Sequence, residues 1–173
     1  ILTNGISLRG VGSREYAVIS GDDSVRCLWA TNAGIVSGVT LRNGSCNADG
    51  MAASGAALSN CVIVNNSFRW NTALYGCRVV HSLISSNLGN GAVSHSKVEW
   101  SDIRYNYHGA SDSVLEYSVI AHNVGGDGAW SCTLRNCLIV SNTSQNVSAY
   151  GGGALECIVD NCTIIGNDPY GVY

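Results

Sequence analysis

An asparagine recurs seven times down the chain, at Asn43, Asn66, Asn87, Asn106, Asn123, Asn142 and Asn167, and each closes the same short phrase. Three positions before it stands Thr40 in the first unit and an isoleucine in the others: Ile63, Ile84, Ile103, Ile120, Ile139 and Ile164. Two residues earlier is a small side chain, Gly38, Cys61, Ser82, Ser101, Ser118, Cys137 or Cys162. Three further back is an aliphatic one, Ile35, Leu58, Val79, Val98, Leu115, Leu134 or Val159. Ala33, Ala56, Cys77, Ser96, Ser113, Cys132 or Cys157 precedes that by two. A degenerate unit comes first, with Ala17, Ile19 and Asp22 in the small, aliphatic and Asn slots.

The asparagines are separated by 23, 21, 19, 17, 19 and 25 residues, about 21 on average. Self-similarity at that period marks a solenoid. Within a unit the apolar residues alternate, as in Cys132-x-Leu134 and Cys137-x-Ile139, so the units are built of short strands. No segment resembles a helical return, which excludes leucine-rich repeats. Two strands separated by a bend, an Asn turn and a Gly-rich stretch make one coil of a parallel β-helix. The expectation is therefore an all-β parallel solenoid of about 7–8 coils, a single domain spanning 1–173. Successive coils should stack ~4.8 Å apart, with the isoleucines in one buried column. Asn suits the turn because it tolerates the left-handed backbone region and its amide can bond to the next amide in the stack.

These phrases resemble the right-handed β-helices of the pectin-lyase-like superfamily, and more closely the repeats of polymorphic outer-membrane proteins and related bacterial surface proteins. Those repeats pair a Gly-Gly-Ala-aliphatic tetrapeptide with a Phe-x-x-Asn phrase. Gly152-Gly153-Ala154-Leu155 matches the first in full, and Asn90-Gly91-Ala92-Val93 and Asp127-Gly128-Ala129-Trp130 match it loosely. The second appears as Ile-x-x-Asn. The resemblance, over residues 17–173, implies a right-handed coil and an extracellular surface or secreted protein with a structural or adhesive role. Polysaccharide binding along the outer sheets is common in that superfamily. The superfamily also contains polysaccharide lyases and glycoside hydrolases, which makes an enzyme the alternative. Of the polygalacturonase signature, however, only Gly21-Asp22-Asp23 and His108-Gly109 are present. They lie about four coils, or ~19 Å, apart.

The net charge is −3, and the nine Lys and Arg do not cluster, which argues against a nucleic-acid partner. No apolar run is long enough to span a membrane as a helix. The chain opens in a strand-like phrase and closes on Tyr170-Gly171-Val172-Tyr173, like the start of another coil, so it reads as a segment of a longer solenoid. Eight cysteines are many for a cytosolic protein of this size. Cys132 and Cys157 share a column on neighbouring coils, as do Cys137 and Cys162, at a spacing a disulfide can bridge. Buried thiols acting as small apolar groups are the other reading. No Cys-x-x-Cys pair is present, and no metal or cofactor is expected.

Function has to come from positions that break the pattern on the outward side. On the second strand the outward columns read Val39, Val62, Leu83, Asp102, Val119, Leu138, Thr163 and Leu41, Val64, Ser85, Arg104, Ala121, Val140, Ile165. So apolar a stripe suggests a contact surface, with Val62, Leu83, Val119, Leu138, Val64 and Val140 open to self-association, or a face covered by the segment from Thr143 to Gly151. The middle coils interrupt it with other chemistry. Glu99 and Glu116 share a column, Lys97 and Arg135 lie nearby, and His81, Trp100 and Tyr117 occupy the bend, with Tyr105 and His122 at the Asn turn. Carboxylates on adjacent coils are spaced for a retaining glycosidase. Alternatively they ion-pair with their basic neighbours. Exposed Trp and Tyr faces suit stacking on sugar rings. The candidate binding residues are Trp100, Tyr117, Glu99, Glu116, Asp102, Arg104 and His81, with Glu99 and Glu116 the weak catalytic candidates.

Overall fold

A computed structural model describes residues 1–2, 6–30, 34–67, 70–145 and 152–173. The chain winds as a parallel β-solenoid of about seven coils. Each full coil has three short strands, and like strands stack in register into three parallel sheets. The first sheet has eight strands, from Ser7–Arg9 to Ile158–Asp160. The second also has eight, from Val18–Ser20 to Thr163–Ile165, and the third has seven, from Leu28–Trp29 to Ala154–Leu155.

The inward columns follow the repeat. Ile63, Ile84, Ile103, Ile120 and Ile139 are fully buried on the second sheet. Val79, Val98, Leu115 and Leu134 are fully buried on the first, with Leu58 almost so. The register pairs Ile84 with Ile103 and Ile103 with Ile120, so like meets like down the axis. β-branched side chains suit such a pleated, packed surface.

The third sheet is where the structure adds to the two-strand unit expected from the repeat. Its inward column is Leu28, Ala53, Leu74, Val93, Ala110, Ala129 and Ala154, mostly small and set in Gly-rich segments. Strands of two to four residues leave too short an alternation to stand out.

Three corners close each coil, and each uses the same device. A residue in the left-handed region turns the chain, and the next side chain points inward and satisfies backbone groups. Between the first and second sheets the turning residues are Asn60, His81, Trp100, Tyr117, Asn136 and Asn161, with φ between 49° and 52°. Ser82, Ser101 and Ser118 follow. Each hydroxyl donates to the carbonyl two residues back and accepts the backbone N–H of the residue it stacks on, as Ser82 Oγ does with Val80 O at 2.9 Å and Cys61 N at 3.1 Å. Between the third and first sheets Ser96 and Ser113 do the same.

The cysteines belong to this system. Cys61, Cys77, Cys132, Cys137, Cys157 and Cys162 occupy the same corner slots, and each thiol donates to the carbonyl two residues back at 3.2–3.4 Å. Within the stacked pairs, Cys157 Sγ accepts the Cys132 N–H at 3.3 Å and Cys162 Sγ accepts the Cys137 N–H at 3.4 Å. All eight cysteines are free thiols. Burial pushes Cys77 and Cys137 up to about 11, which keeps them protonated at neutral pH. Cysteine here substitutes for serine as a corner group, so its abundance has a structural cause independent of compartment.

At the corner after the second sheet the inward residue is asparagine. From Asn87 through Asn167 each Oδ1 accepts two bonds from the preceding rung, one from its Nδ2 and one from its backbone N–H, at 2.9–3.1 Å. Each Nδ2 also donates to a main-chain carbonyl of the preceding coil, as Asn106 does to Ile84 O at 3.0 Å. From Asn66 to Asn142 the amides are thus buried and bonded, and Asn167 at the last rung is half-buried.

The first unit departs from the expected register by one residue. Leu41, not Thr40, pairs with Ile63, and Val36, not Ile35, pairs with Leu58. Both Leu41 and Val36 are fully buried, whereas Ile35 is 52% exposed. A one-residue shift turns every side chain to the opposite face, and burying Leu41 and Val36 outweighs keeping the Asn spacing. Asn43 therefore sits at the turning position, with φ 51°, and Gly44 takes the ladder slot, donating its N–H to Asn66 Oδ1 at 2.8 Å. Val39 moves inward beside Cys61, and Thr40 faces out, its hydroxyl donating to Arg14 O at 2.7 Å. Ala33 of the same unit lies outside the described residues. Asp22 is exposed and accepts from the Ser20 hydroxyl at 2.7 Å.

Asn43 and Asn106 should therefore respond differently to substitution. Asn106→Ala leaves buried amide and main-chain groups without partners and should cost at least about 2 kcal/mol. Asn43→Gly keeps the turn and should stay within about 0.5 kcal/mol of the parent. Urea unfolding followed by circular dichroism reads both, and equal losses would contradict the one-residue shift.

Candidate functional site

Glu99 and Glu116 are Cα partners on adjacent strands of the first sheet, on its outward side. Each carboxylate is held by two cations. Arg78 reaches Glu99 at 3.0 Å, Lys97 reaches Glu99 at 3.2 Å and Glu116 at 3.1 Å, and Arg135 reaches Glu116 at 3.1 Å. The result is an alternating chain, Arg78–Glu99–Lys97–Glu116–Arg135, running along the stack. The Arg78 guanidinium, followed by Lys97, holds Glu99 below the usual carboxylate range. Lys97 and then Arg135 do the same for Glu116. The two carboxylates in turn raise Lys97. A catalytic acid must keep its proton near neutral pH, and this arrangement pushes both groups the other way.

His81, Trp100 and Tyr117 occupy the turning positions between the first and second sheets, so their side chains project from an edge of the solenoid. Trp100 and Tyr117 stack face to face, centroids 4.3 Å apart and planes 5° from parallel. At the next corner Tyr105 and His122 stack at 5.3 Å and 8°. Between these two edges the outer face of the second sheet holds an open groove of about 630 Å³. Trp100, His81, Asp102, Arg104, Tyr105 and Arg14 contribute to its walls. Asp102 and Arg104 form an ion pair within it, and Arg104 Nε is buried without a hydrogen-bond partner. The groove thus pairs aromatic faces with the guanidinium and carboxylate of one ion pair.

Of the residues expected from sequence, His81, Trp100, Asp102 and Arg104 share this groove, and Tyr117 backs Trp100. Glu99 and Glu116 do not line it. Arg14 was not foreseen. It arrives from the irregular segment between the first two strands, where Nη1 donates to Asn60 Oδ1 at 3.2 Å. No repeat position encodes it.

The aliphatic stripe continues along the same sheet. Val62, Val64, Leu83, Val119 and Val140 are half-buried, and Leu138 is 37% exposed. Val39 and Leu41 are not part of it, having turned inward with the shifted first unit. Of the expected covering segment, Thr143–Ser144 pairs with Val124–Gly125 as a short parallel extension of the coil, and residues 146–151 lie outside the described residues. Among the described residues, no group of three or more His, Cys, Asp or Glu is placed to hold a metal ion.

The bridging role of Lys97 can be read directly. A group whose folded pKa is depressed contributes stability above its unfolded value and loses it as pH falls through the folded one. Glu99 and Glu116 should therefore titrate below an ordinary glutamate by carbon-detected NMR, and Lys97→Met should move both midpoints up. Unmoved midpoints would mean that Lys97 does not bridge them.

Comparison with protein-family models, with curated proteins and with solved structures returned no match.

Proposed function

We propose that this chain is a structural and adhesive β-solenoid segment of an extracellular bacterial surface or secreted protein, and that it engages polysaccharide through the groove beside Trp100. The extracellular setting rests on the resemblance of the repeats. The binding reading rests on one observation, the face-to-face Trp100–Tyr117 stack at the rim of a groove that also presents the Asp102–Arg104 ion pair. Flat aromatic faces take up the apolar side of a sugar ring, while carboxylate and guanidinium groups bond to its hydroxyls. The solenoid suits an extended polymer, because successive coils present equivalent outward positions at a fixed ~4.8 Å step.

A glycan array followed by calorimetry on the best ligand tests this. Trp100→Ala should weaken binding by on the order of 1–2 kcal/mol without unfolding the stack. Glu116→Gln should leave it unchanged. A bound polysaccharide that is cleaved, with cleavage lost in Glu116→Gln, would support the polysaccharide-active enzyme instead. Binding that survives loss of both Trp100 and Tyr117 would remove this face from consideration.

The aliphatic stripe supports a second reading, self-association through Val62, Val64, Leu83, Val119, Leu138 and Val140. Their half-exposure along one sheet is the observation that favours it. Sedimentation should then show an oligomer for the parent and a folded monomer for Leu138→Lys. A monomeric parent would end this reading.

A further inference from the structure

The third sheet carries a separate cleft of about 250 Å³. Its outward column reads Tyr75, Ser94, Ser111, Trp130 on four successive strands. Two serines between two large rings make the surface dip. Trp70 and Trp130 both line the cleft, and they are 75% and 45% exposed. Asp49, Asp112 and Asp127 line it as well, with His108.

Several of these groups are held in place. Asp49 Oδ1 accepts the Thr72 N–H at 2.9 Å and the Thr72 hydroxyl at 3.2 Å. The Trp130 indole N–H donates to Glu156 Oε2 at 3.1 Å. The His108 ring lies so close to Gly126 that a Cβ there would fall 1.7 Å from it. Asp127 Oδ1 is buried without a hydrogen-bond partner. Burial lowers the pKa of His108 and so favours its neutral form at pH 7, and it raises Asp127 to about 6, still mostly ionised there.

Among the described residues no Lys or Arg lines the cleft, and the nearby Arg26 guanidinium is taken up by the Asp49 and Gly50 carbonyls at 2.7 and 2.8 Å, so the three carboxylates leave the lining net negative. It is also elongated. Trp70 precedes the strand Thr72–Tyr75 and Trp130 lies on the third strand beyond it, so the lining covers a rise of about 14 Å along the stack at ~4.8 Å per step. Anionic ligands, uronic acids and phosphates included, are repelled by this charge. A compact cation reaches only one end. An extended chain of methylenes and ammonium groups meets carboxylates along its length and an indole face at each end, and indole is the best aromatic partner for a cation.

We propose that the third-sheet cleft binds a linear aliphatic polyamine, with its ammonium groups on Asp49, Asp112 and Asp127 and its ends against Trp70 and Trp130. This does not depend on the polysaccharide reading, which concerns a different sheet.

Spermidine, titrated at low ionic strength and followed by calorimetry and tryptophan fluorescence, is the probe. Saturable one-to-one binding is expected, tighter than for the shorter diamine putrescine. Asp112→Asn keeps a residue that tolerates the left-handed turn Asp112 makes, with φ 47°, and should weaken binding about fivefold, as should Trp130→Ala. Asp160→Asn removes an exposed carboxylate on the first sheet and should change nothing. Far-UV circular dichroism checks that each variant keeps the coil. Four results would overturn the proposal: no saturation below about 10 mM, equal binding of the uncharged 1,8-octanediol, a loss in Asp160→Asn matching that in Asp112→Asn, or preference for a neutral sugar in the same cleft.

Discussion

The amide ladder from Asn66 to Asn167, buried as far as Asn142, is the interaction on which the coil depends. Turning a parallel strand sharply places main-chain N–H and carbonyl groups inside the solenoid, where an unbonded one costs roughly 1–3 kcal/mol. From Asn87 onward each asparagine meets that demand three ways, accepting a main-chain N–H, accepting a side-chain amide and donating to a main-chain carbonyl. A residue with only a hydroxyl could not make the side-chain relay. The two other corners need less, and there serine or cysteine suffices, one hydrogen donated and one accepted.

These corner groups also fix which residues face out. The turning residue before each one adopts the left-handed region, at a cost of roughly 1–2 kcal/mol for most side chains. It nevertheless keeps its N–H in the bonding between coils, as Trp100 N does with Glu116 O at 3.1 Å. Its side chain then projects from the edge. That is why two bulky aromatics at successive corners, Trp100 and Tyr117, stack almost parallel, and why Tyr105 and His122 do so at the next edge. The aromatic platforms follow from the same stacking that aligns the isoleucines.

The repeat was legible wherever a slot demanded one chemistry. The isoleucine column, the Asn ladder from Asn66 onward and the small corner slots all appear in the sequence because each is filled by one residue type or a close set. The first unit misled because two requirements conflict there. Asn43 keeps the asparagine spacing, but Leu41 and Val36 offer more apolar surface to the core, and burial decided the register. The third sheet was hidden for a different reason. Its inward slot accepts Ala as readily as Leu or Val, so composition carries no signal, and the segments feeding it vary in length. The groove was half legible: Trp100, His81, Asp102 and Arg104 sit at repeat positions, whereas Arg14 comes from an irregular segment that no periodicity describes.

With the interior fixed, the outer positions of each sheet answer to different constraints. On the first sheet the middle coils carry a charge chain in which three cations hold two carboxylates, so neither carboxylate is left unpaired. The second sheet is aliphatic, with the Asp102–Arg104 ion pair the one found on it among the described residues, and its aromatics stand at the edges. The third lines its depression with carboxylates, two indoles and His108 and has no Lys or Arg there among the described residues. Chemistry that is compensated on the first sheet is thus left uncompensated on the third. Since both sheets rise from the same stacked coils, this difference cannot come from the needs of the core. It places the uncompensated surface charge on the third sheet, beside the cleft lined by Asp49, Asp112 and Asp127.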